Sequence, residues 1–561
     1  MYRLSAFVFA AILAFTPSFA SAETRIWDSF GPSDQFGDGD NWLFDGVVPG
    51  AADTAQFQGV TDESVRFSDD FTNDSLEIVN STVSFDLNGQ TYTLTNPNNE
   101  NFNNSTSILV GTSFSTVGFT SSLSVTDGTL AGVEARVGNT QAGAMTVGAD
   151  AIVSLSDEMI VGFQNTGTLT VENGGQVQSV TGSIGNQSSG DGVVNIMGMN
   201  SNWTLDDYLY VGTSGAGELN ITGGGMVSTT DANAGHITST IVGLSGSQSS
   251  SLTVSGSGST LNAESLTVGG SGIGSMTVES GGQVVNTWFA NIGNQAAGDG
   301  SALVTGANSK WTTAGLTVGW RGPGELSIEN SGAVESSNVV QIGRETTATG
   351  QLTITGAGSV LSTTSAFAND GIYVGGDTTG AQGDGTLTVA SGGSVDLGTQ
   401  SLTVWQTGEL NGDGGSITGD VTNHGLVSPG ASPGVMTING DYTQAADGTL
   451  LLEIAGTTPG TDYDQFIING NATLDGTLIL RFIDSFVPDD GDLFNFLTVS
   501  GALNDDLLDI QIENLPDSFD TDVAFSNGAF NLTVTGDAIP TPAAAPMALC
   551  LLAALSLKRR R

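Results

Sequence analysis

The chain has 561 residues, of which 80 are glycine, and 58 acidic against 12 basic residues give it a net charge of −46. This balance excludes nucleic acid as a partner, because a binding surface for nucleic acid needs a cationic stripe that displaces phosphate counterions. It also disfavours an anionic membrane surface, and the glycine content disfavours long helices. The acidic surface is expected to keep the protein soluble by self-repulsion, with recruitment of divalent cations as the alternative.

Residues 1–22 have the features of a secretory signal peptide. A basic residue precedes an apolar run over residues 6–15, and a small-residue cleavage site follows at Ala20 and Ala22. The sequence therefore predicts an exported protein whose N-terminal signal helix is removed, with a mature chain that begins near Glu23.

Residues 23–104 are predicted to form an N-terminal β cap. Large apolar residues at the start of a solenoid are suited to cover its first coil, whose end would otherwise expose the core and a strand edge. Here these residues are Trp27, Trp42 and Phe57. An acidic run in the same segment lacks the spacing and the closing glutamate of a calcium loop, so a solvated turn is expected there. That run contains Asp34, Asp38 and Asp40.

Residues 105–402 contain repeats with a mean period of about 26 residues, which is typical of solenoids. Each unit has an apolar residue and a glycine, a polar turn, a strand with alternating apolar residues, and a second glycine turn. The opening glycines include Gly162, Gly185, Gly212, Gly243, Gly269, Gly293, Gly319, Gly343 and Gly375. Strands of three to five residues with Val, Ile, Leu and Met inside are expected. These features predict an all-β fold, a right-handed parallel β-helix with β caps and about three strands per coil.

From Gly162 onward two kinds of unit alternate. One kind has a GG or SG turn after its strand, as in VENGGQV from Val171, and the other has a G-x-x-S turn, as in TGAGSVL from Thr355. Trp203 and Trp311 occupy equivalent positions in two of the second kind. Packing at a corner of the coil is expected for both tryptophans, and stacking on sugar rings is the alternative.

Residues 403–537 are predicted to form a C-terminal β region, in part antiparallel, because longer aliphatic strands and the turns at Pro429 and Pro433 replace the regular coils. His424 lies in a turn without Cys or His partners and is expected to be a plain turn residue. The only cysteine, Cys550, lies further on, so no disulfide, zinc site or thiol nucleophile is expected in the folded body.

Residues 538–561 contain an apolar run of about 15 residues, shorter than the ~20 that comfortably span a bilayer. The cations that follow it would stay on the cytoplasmic side. A C-terminal hydrophobic helix is therefore predicted, which acts as a transient or permanent transmembrane anchor. Its flanking residues resemble the PEP-CTERM-type sorting signals of exported bacterial proteins, with Pro-Thr-Pro in place of Pro-Glu-Pro. These residues are Pro540, Thr541, Pro542, Arg559, Arg560 and Arg561.

The resemblance to PEP-CTERM-type signals implies an exosortase-like processing enzyme as a partner, and delivery to the cell surface or the exopolysaccharide matrix. A second resemblance covers nearly all of residues 25–500. The VG…GxLxI…GGxV units, the NW…GVVPGAADTAQF opening and the SPGASPG…GDYTQ…GTLLLEI segment resemble autotransporter-associated β-strand repeat proteins. Together these features predict a non-catalytic, adhesin-like surface or matrix protein, with extracellular polysaccharide or the cell envelope as its partner.

Two other functions stay open: a carbohydrate-binding module, with or without calcium as a cofactor, and a β-helix enzyme that degrades polysaccharides. A lyase would need a cation, and the repeats offer only Arg136, Lys310, Arg321 and Arg344. A hydrolase would need two carboxylates about 5 to 9.5 Å apart. Adjacent acids such as Asp206 and Asp207 occur in loops, but no motif selects a pair, so no catalytic residue is assigned.

Overall fold

The computed structural model describes residues 22–536, apart from residues 29–30, 32, 44, 97–105, 113–119, 230–237, 247, 368–369, 431–432, 506, 518 and 527. This part of the chain is all-β, with long parallel sheets consistent with a β-helix, and it includes one short 3-10 helix, Gly39–Asn41. The predicted signal helix with Ala20, and the tail from Pro540 to Arg561 with its hydrophobic helix, lie outside the described residues. Within the described residues, no helix has the length and hydropathy needed to cross a membrane.

Apart from a few antiparallel pairs described below, the strands lie in three rows, called here the first, second and third sheets, and pair in parallel with the strands of neighbouring coils. The second and third rows belong to one hydrogen-bonded sheet. The first sheet contains Glu63–Arg66, Thr82–Asp86, Ser121–Thr126, Gly143–Val147, Thr166–Glu172, Asp191–Met197, Ala216–Thr222, Ser249–Ser255, Ile273–Glu279, Asp299–Thr305, Pro323–Glu329, Thr349–Thr355, Asp384–Ala390, Gly408–Gly412, Leu426–Pro429, Thr449–Ile454, Thr477–Phe482 and Asp509–Glu513. The second sheet contains Phe71–Asn73, Thr91–Leu94, Gly128–Gly132, Ala151–Leu155, Gln176–Ser179, Asn202–Leu205, Met226–Thr229, Thr260–Ala263, Ala333–Ser336, Val360–Thr363, Val435–Asn439, Gln465–Ile468 and Leu493–Val499.

The third sheet follows the second after a sharp bend in each coil. It contains Thr24–Ile26, Thr54–Gln58, Ser75–Val79, Thr106–Thr112, Glu134–Val137, Glu158–Val161, Thr181–Ile184, Leu209–Val211, Ser239–Val242, Ser265–Val268, Val340–Ile342, Ile372–Val374, Tyr442–Gln444, Ala472–Leu474 and Leu503–Asn504. Four strands continue through the bend and belong to both sheets: Gln283–Ile292, Lys310–Val318, Ser394–Val404 and Gly415–Asn423.

A column of aliphatic side chains fills the interior, because residues of the same type stand in register from coil to coil. Ile328 pairs with Val304 on one side and Ile354 on the other, and all three are fully buried. The first-sheet strands are longer than the predicted three to five residues, since many run for seven, as in Thr349–Thr355. Hydrogen bonds to the neighbouring coils keep the residues that flank the alternating apolar segment in the extended conformation as well.

The alternation of the two turn types has a physical basis in hydrogen bonds between coils. In each G-x-x-S turn the serine is fully buried, and its Oγ accepts a hydrogen bond from a backbone N–H of the glycine turn one coil earlier. The donor and acceptor residues are Gly174 and Ser201, Gly224 and Ser259, Gly281 and Ser309, and Ser331 and Ser359. These four glycine turns therefore gain an acceptor from the serine turn of the next coil.

The nine repeat glycines all have positive φ, between +68° and +79°. At Gly319 a Cβ would lie 2.5 Å from the carbonyl oxygen of Thr349 in the following coil. Both the backbone conformation and the close approach of the next coil therefore require glycine at this turn.

The two ends of the described chain differ in their packing. At the start, Trp27 packs edge-on against Trp42 with ring centroids 5.2 Å apart, and it stacks on Phe57 at 5.3 Å. At the other end Leu493–Val499 pairs antiparallel with Ala529–Gly536, which pairs antiparallel with Phe519–Ser526.

A small antiparallel hairpin, Gly376–Asp377 with Gly380–Ala381, projects from one coil.

Candidate functional site

Trp203 and Trp311 are fully buried at corners of their coils. The indole Nε1 of Trp203 donates a hydrogen bond to Ser179 Oγ at 3.0 Å, and that of Trp311 donates one to Asn286 Oδ1 at 2.8 Å. The alternative that these two rings stack on sugars is therefore wrong, and corner packing is correct.

The outward side of the third sheet forms the floor of a groove. Side chains that point away from the aliphatic column are normally exposed, yet Thr317 is 3% and Gln341 is 6% exposed. Side chains from the bend before these strands and from the turns after them line a cavity together with Thr317 and Gln341. Parallel pairing places the floor residues in one row: Ile160, Ser183, Tyr210, Ile241, Thr267, Asn291, Thr317, Gln341, Tyr373 and Thr403.

The groove contains a cavity of about 510 Å³, and aromatic side chains lie on two sides of its lining. One wall is Trp288 and Phe289, at the bend between the second and third sheets, and their side chains are 49% and 40% exposed. The other wall is Trp320 and Arg344, in the turns that follow two third-sheet strands. The cavity is lined by Ser265, Trp288, Phe289, Asn291, Thr317, Trp320, Val339, Gln341, Arg344 and Thr378.

Asn286 fixes the first wall in place. This buried side chain accepts the hydrogen bond from Trp311, and its Nδ2 donates to the backbone oxygen of Trp288 at 2.7 Å and to Thr313 Oγ1 at 2.8 Å. Thr313 Oγ1 donates to the same backbone oxygen at 3.2 Å. The buried tryptophan and the exposed tryptophan are thus connected through one amide, which holds the exposed ring at the rim.

The second wall is a cluster of two cations on one indole. The guanidinium carbon of Arg344 lies 4.6 Å from the ring centroid of Trp320, and that of Arg321 lies 5.6 Å from it. Trp320 Nε1 donates to Glu345 Oε1 at 3.3 Å, which fixes the plane of the ring. Guanidinium groups bind favourably over the electron-rich face of an indole, so Trp320 orients Arg344 at the cavity.

Aromatic side chains continue along the groove beyond the cavity. Toward the N-terminal end, Tyr208 and Tyr210 stack with centroids 5.6 Å apart, and Phe163 lies under Arg136 at 4.3 Å. Toward the C-terminal end, Tyr373 lies on the floor and Trp405 follows a third-sheet strand. A row of flat apolar surfaces among polar side chains is suited to an extended chain of polar rings that have apolar faces.

His424, which the sequence predicts to be a plain turn residue, has two side-chain partners in the structure. The imidazole stacks on Trp405 with centroids 5.1 Å apart, and Nδ1 lies 2.8 Å from Asp447 Oδ1. Trp405 Nε1 donates to the backbone oxygen of Asp377 at 2.9 Å. The stack therefore connects the small hairpin to the next two coils.

A second polar cluster lies near the N-terminal end of the groove, around Glu158. Burial raises the pKa of this carboxyl, although Ser183 Oγ donates a hydrogen bond to it. In the coil before it, Glu134 pairs with Arg136 at 2.6 Å and accepts a hydrogen bond from Thr106 Oγ1.

The acidic residues singled out from the sequence have separate positions. Asp38 caps the short 3-10 helix by accepting a hydrogen bond from the backbone N–H of Asp40, and the backbone oxygen of Asp34 accepts one from Arg66. Asp206 and Asp207 lie in the turn before Leu209–Val211. Among the described residues, no group of three or more His, Cys, Asp or Glu side chains is arranged to hold a metal ion.

The groove itself was not predicted from the sequence, although one signal for it is present. Phe163, Trp320 and Arg344 each follow a repeat glycine by one residue. An alignment of the units on that glycine would have placed three large side chains at one position of the coil. Trp288 does not occupy this repeat position, because it lies in the bend between the second and third sheets.

The fold and the groove define the class of the protein: a β-solenoid-like repeat protein with an aromatic groove along one sheet. No protein-family model matches the chain, and no curated protein matches it either.

Proposed function

We propose that this protein is an exported, non-catalytic component of the bacterial cell surface or extracellular matrix that binds polysaccharide in the groove of its third sheet. In this proposal the rod is a right-handed parallel β-helix, and the predicted β caps over residues 23–104 and 403–537 include further parallel coils. The glycan lies along the rod. The supporting observation is the two exposed aromatic rings Trp288 and Phe289 beside a polar floor. Sugar rings offer apolar C–H faces to such rings and hydroxyl groups to such a floor.

The length of the groove supports a polymeric ligand. Neighbouring coils are about 4.8 Å apart, so a run of several coils matches the length of an oligosaccharide. Each aromatic side chain then contributes a separate contact, and weak contacts add up along one chain.

Binding of a polysaccharide panel to the purified protein tests this function. Trp288→Ala and Phe289→Ala are expected to weaken binding by about tenfold each, because rigid aromatic anchors dominate such interfaces. Phe525→Ala is the matched control, since Phe525 is 40% exposed like Phe289 but lies on the C-terminal strands. Equal affinity of the wild type and both groove variants for every bound polymer would reject the groove as the binding site.

Export and sorting form the second part of the proposal. Cleavage after Ala22 and near Pro540–Pro542 would release the folded body to the outer surface, with an exosortase-like enzyme at the second step. Intact-mass measurement of surface-extracted protein tests it. The expected species begins near Glu23 and lacks Cys550, whereas a surface species that retains Arg561 would show a permanent anchor instead.

A polysaccharide-degrading enzyme is the second candidate, and the carboxyl of Glu158 is the observation that favours it. A half-buried carboxyl with a raised pKa beside a second glutamate is an arrangement that glycosidases use for acid catalysis. Incubation with acidic and neutral polysaccharides, followed by an assay of reducing ends, decides between the two. Release of reducing ends that Glu158→Gln abolishes would establish the enzyme and overturn the non-catalytic assignment.

A further inference from the structure

The cations of the folded body are distributed unevenly between ion pairs and the groove. Five of the seven Lys and Arg residues that the structure describes form ion pairs with carboxylates. These pairs are Arg25 with Asp45, Arg66 with Asp86, Arg136 with Glu134, Lys310 with Glu335, and Arg481 with Glu513. The two described cations that form no ion pair are Arg321 and Arg344, and both lie on Trp320.

Arg344 lines the cavity, and its Nε is buried without a hydrogen-bond partner among the described residues. The residue as a whole is only partly buried, and a guanidinium that lines a cavity without a carboxylate partner favours a ligand that supplies one. A carboxylate does so with two oxygens that match the planar fork of the guanidinium.

The neighbouring carboxylates are held by other groups. Asp377 Oδ1 accepts hydrogen bonds from the backbone N–H and Oγ1 of Thr379, at 2.7 and 2.6 Å. Burial raises the pKa of Asp377, but these hydrogen bonds and the charge of Arg344 lower it, and the net direction is downward. Glu345 accepts the hydrogen bond from the Trp320 indole. The chain has a net charge of −46, yet two cations at this wall form no ion pair. Their lack of a carboxylate partner is therefore a local property of the wall.

We propose that the cavity is a subsite for a uronic acid residue, in which Arg344 binds the sugar carboxylate and Trp288 packs against the sugar ring. This proposal rests on the proposed function and adds the class of sugar that the groove selects. Trp320 is a positioning residue that holds the guanidinium, and the exposed Arg321 adds a second positive charge at the rim. Neutral polar atoms of Asn291 and Gln341 on the floor are available to the ring hydroxyls.

The test compares oligouronides with their own methyl esters, which keep the sugar and remove the charge. Oligogalacturonide, oligoglucuronide and oligomannuronide of equal length, each as acid and as ester, are titrated into the full chain at ~0.15 M NaCl. The Debye length is then about 8 Å, so the general repulsion from the acidic body is screened while a direct contact is retained. At least one acid is expected to bind about tenfold more tightly than its ester.

Four variants assign the preference to Arg344. Arg344→Gln is expected to remove the difference between acid and ester, and Arg344→Lys to restore part of it. Lys310→Gln is the control, because it changes the net charge equally but removes a cation that pairs with Glu335. Trp320→Phe is expected to weaken binding of the acid and to leave binding of the ester unchanged. Thermal melting of each variant checks that the variant folds.

The outcomes separate the subsite from the general function. Equal binding of acid and ester in every pair, or a preference that Arg344→Gln retains, would overturn the uronate subsite while glycan binding stands. Failure of every glycan to bind would overturn both proposals. A preference that Lys310→Gln abolishes as strongly as Arg344→Gln would show an effect of net charge and would also overturn the subsite.

Discussion

Gly315 lies directly beneath the ring of Phe289 in the register of neighbouring coils. A Cβ at position 315 would be 2.5 Å from Cδ1 of that ring, so the ring packs in space that is free only because residue 315 of the next coil has no side chain. The groove thus depends on a glycine that belongs to neither the turns nor the repeat positions.

Gly315→Ala is expected to move Phe289 and weaken glycan binding several-fold, with a loss of stability of about 1–3 kcal/mol from overpacking. Gly148→Ala is the control, because the nearest atom to its Cβ is a Thr126 methyl group at 3.2 Å, away from the third sheet. Titration with the tightest oligosaccharide and thermal melting measure both effects. Unchanged affinity in a folded Gly315→Ala protein would contradict a binding role for Phe289.

Ile328→Asp is expected to destabilise the aliphatic column by several kcal/mol, because it places an unpaired charge among fully buried side chains. Hydrogen-exchange protection should fall in the coils of Val304 and Ile354 as well, since each coil relies on its neighbours. Ser327→Asp introduces the same charge on the outward side of the same strand and should have a much smaller effect. Protection equal to that of the wild type after Ile328→Asp would contradict the continuous column.

Asp464 is expected to make stability decrease as pH rises from about 4 to 7. Burial, together with the charges of Glu453 and Asp413, raises its pKa to about 7, although backbone N–H groups of Glu453 and Gly434 donate hydrogen bonds to it. The folded state then binds more protons than the unfolded state in this range. Stability falls by up to about 1.4 kcal/mol per pH unit, with no further contribution from this group above the folded pKa.

The pH dependence of urea unfolding checks this sign. Asp464→Asn should flatten the slope, with a pH-independent loss of about 1 kcal/mol because one backbone N–H loses its acceptor. Asp441→Asn provides the contrast, because hydrogen bonds from Asn471 lower the pKa of the exposed Asp441. A slope that survives Asp464→Asn would assign the titration to another group.

The net charge of −46 is expected to make the melting temperature rise with NaCl. The Debye length falls from ~30 Å at 0.01 M to ~10 Å at 0.1 M salt, which weakens the self-repulsion of the folded body. Calorimetry in NaCl, KCl and low concentrations of CaCl₂ distinguishes screening from site binding. If only calcium raises the melting temperature, at concentrations too low to screen, specific sites exist and the screening explanation is wrong.

The sequence by itself determined the period of the coil and the side of each strand that faces inward. Both are local properties: alternation of apolar residues sets the burial of Leu326 and Ile328, and glycine sets the turn at Gly319. The two turn types were also visible in the sequence. Their structural role became clear only in the fold, where the serine of one coil accepts a hydrogen bond from the glycine turn of the coil before it, as Ser359 does from Ser331.

The tertiary structure alone decided which side chains meet in the groove. Trp203 and Trp288 both lie in strands that follow a glycine turn, yet one is buried at a corner and the other is half exposed at a bend. The two side chains differ in exposure because of how the coils stack, since parallel register brings residues about 26 positions apart to within about 4.8 Å of each other. The repeat glycines place Trp320 and Arg344 at the same position of two successive coils, but the pairing of Arg344 with Trp320 and the cavity beside them follow only from the stacking of those coils.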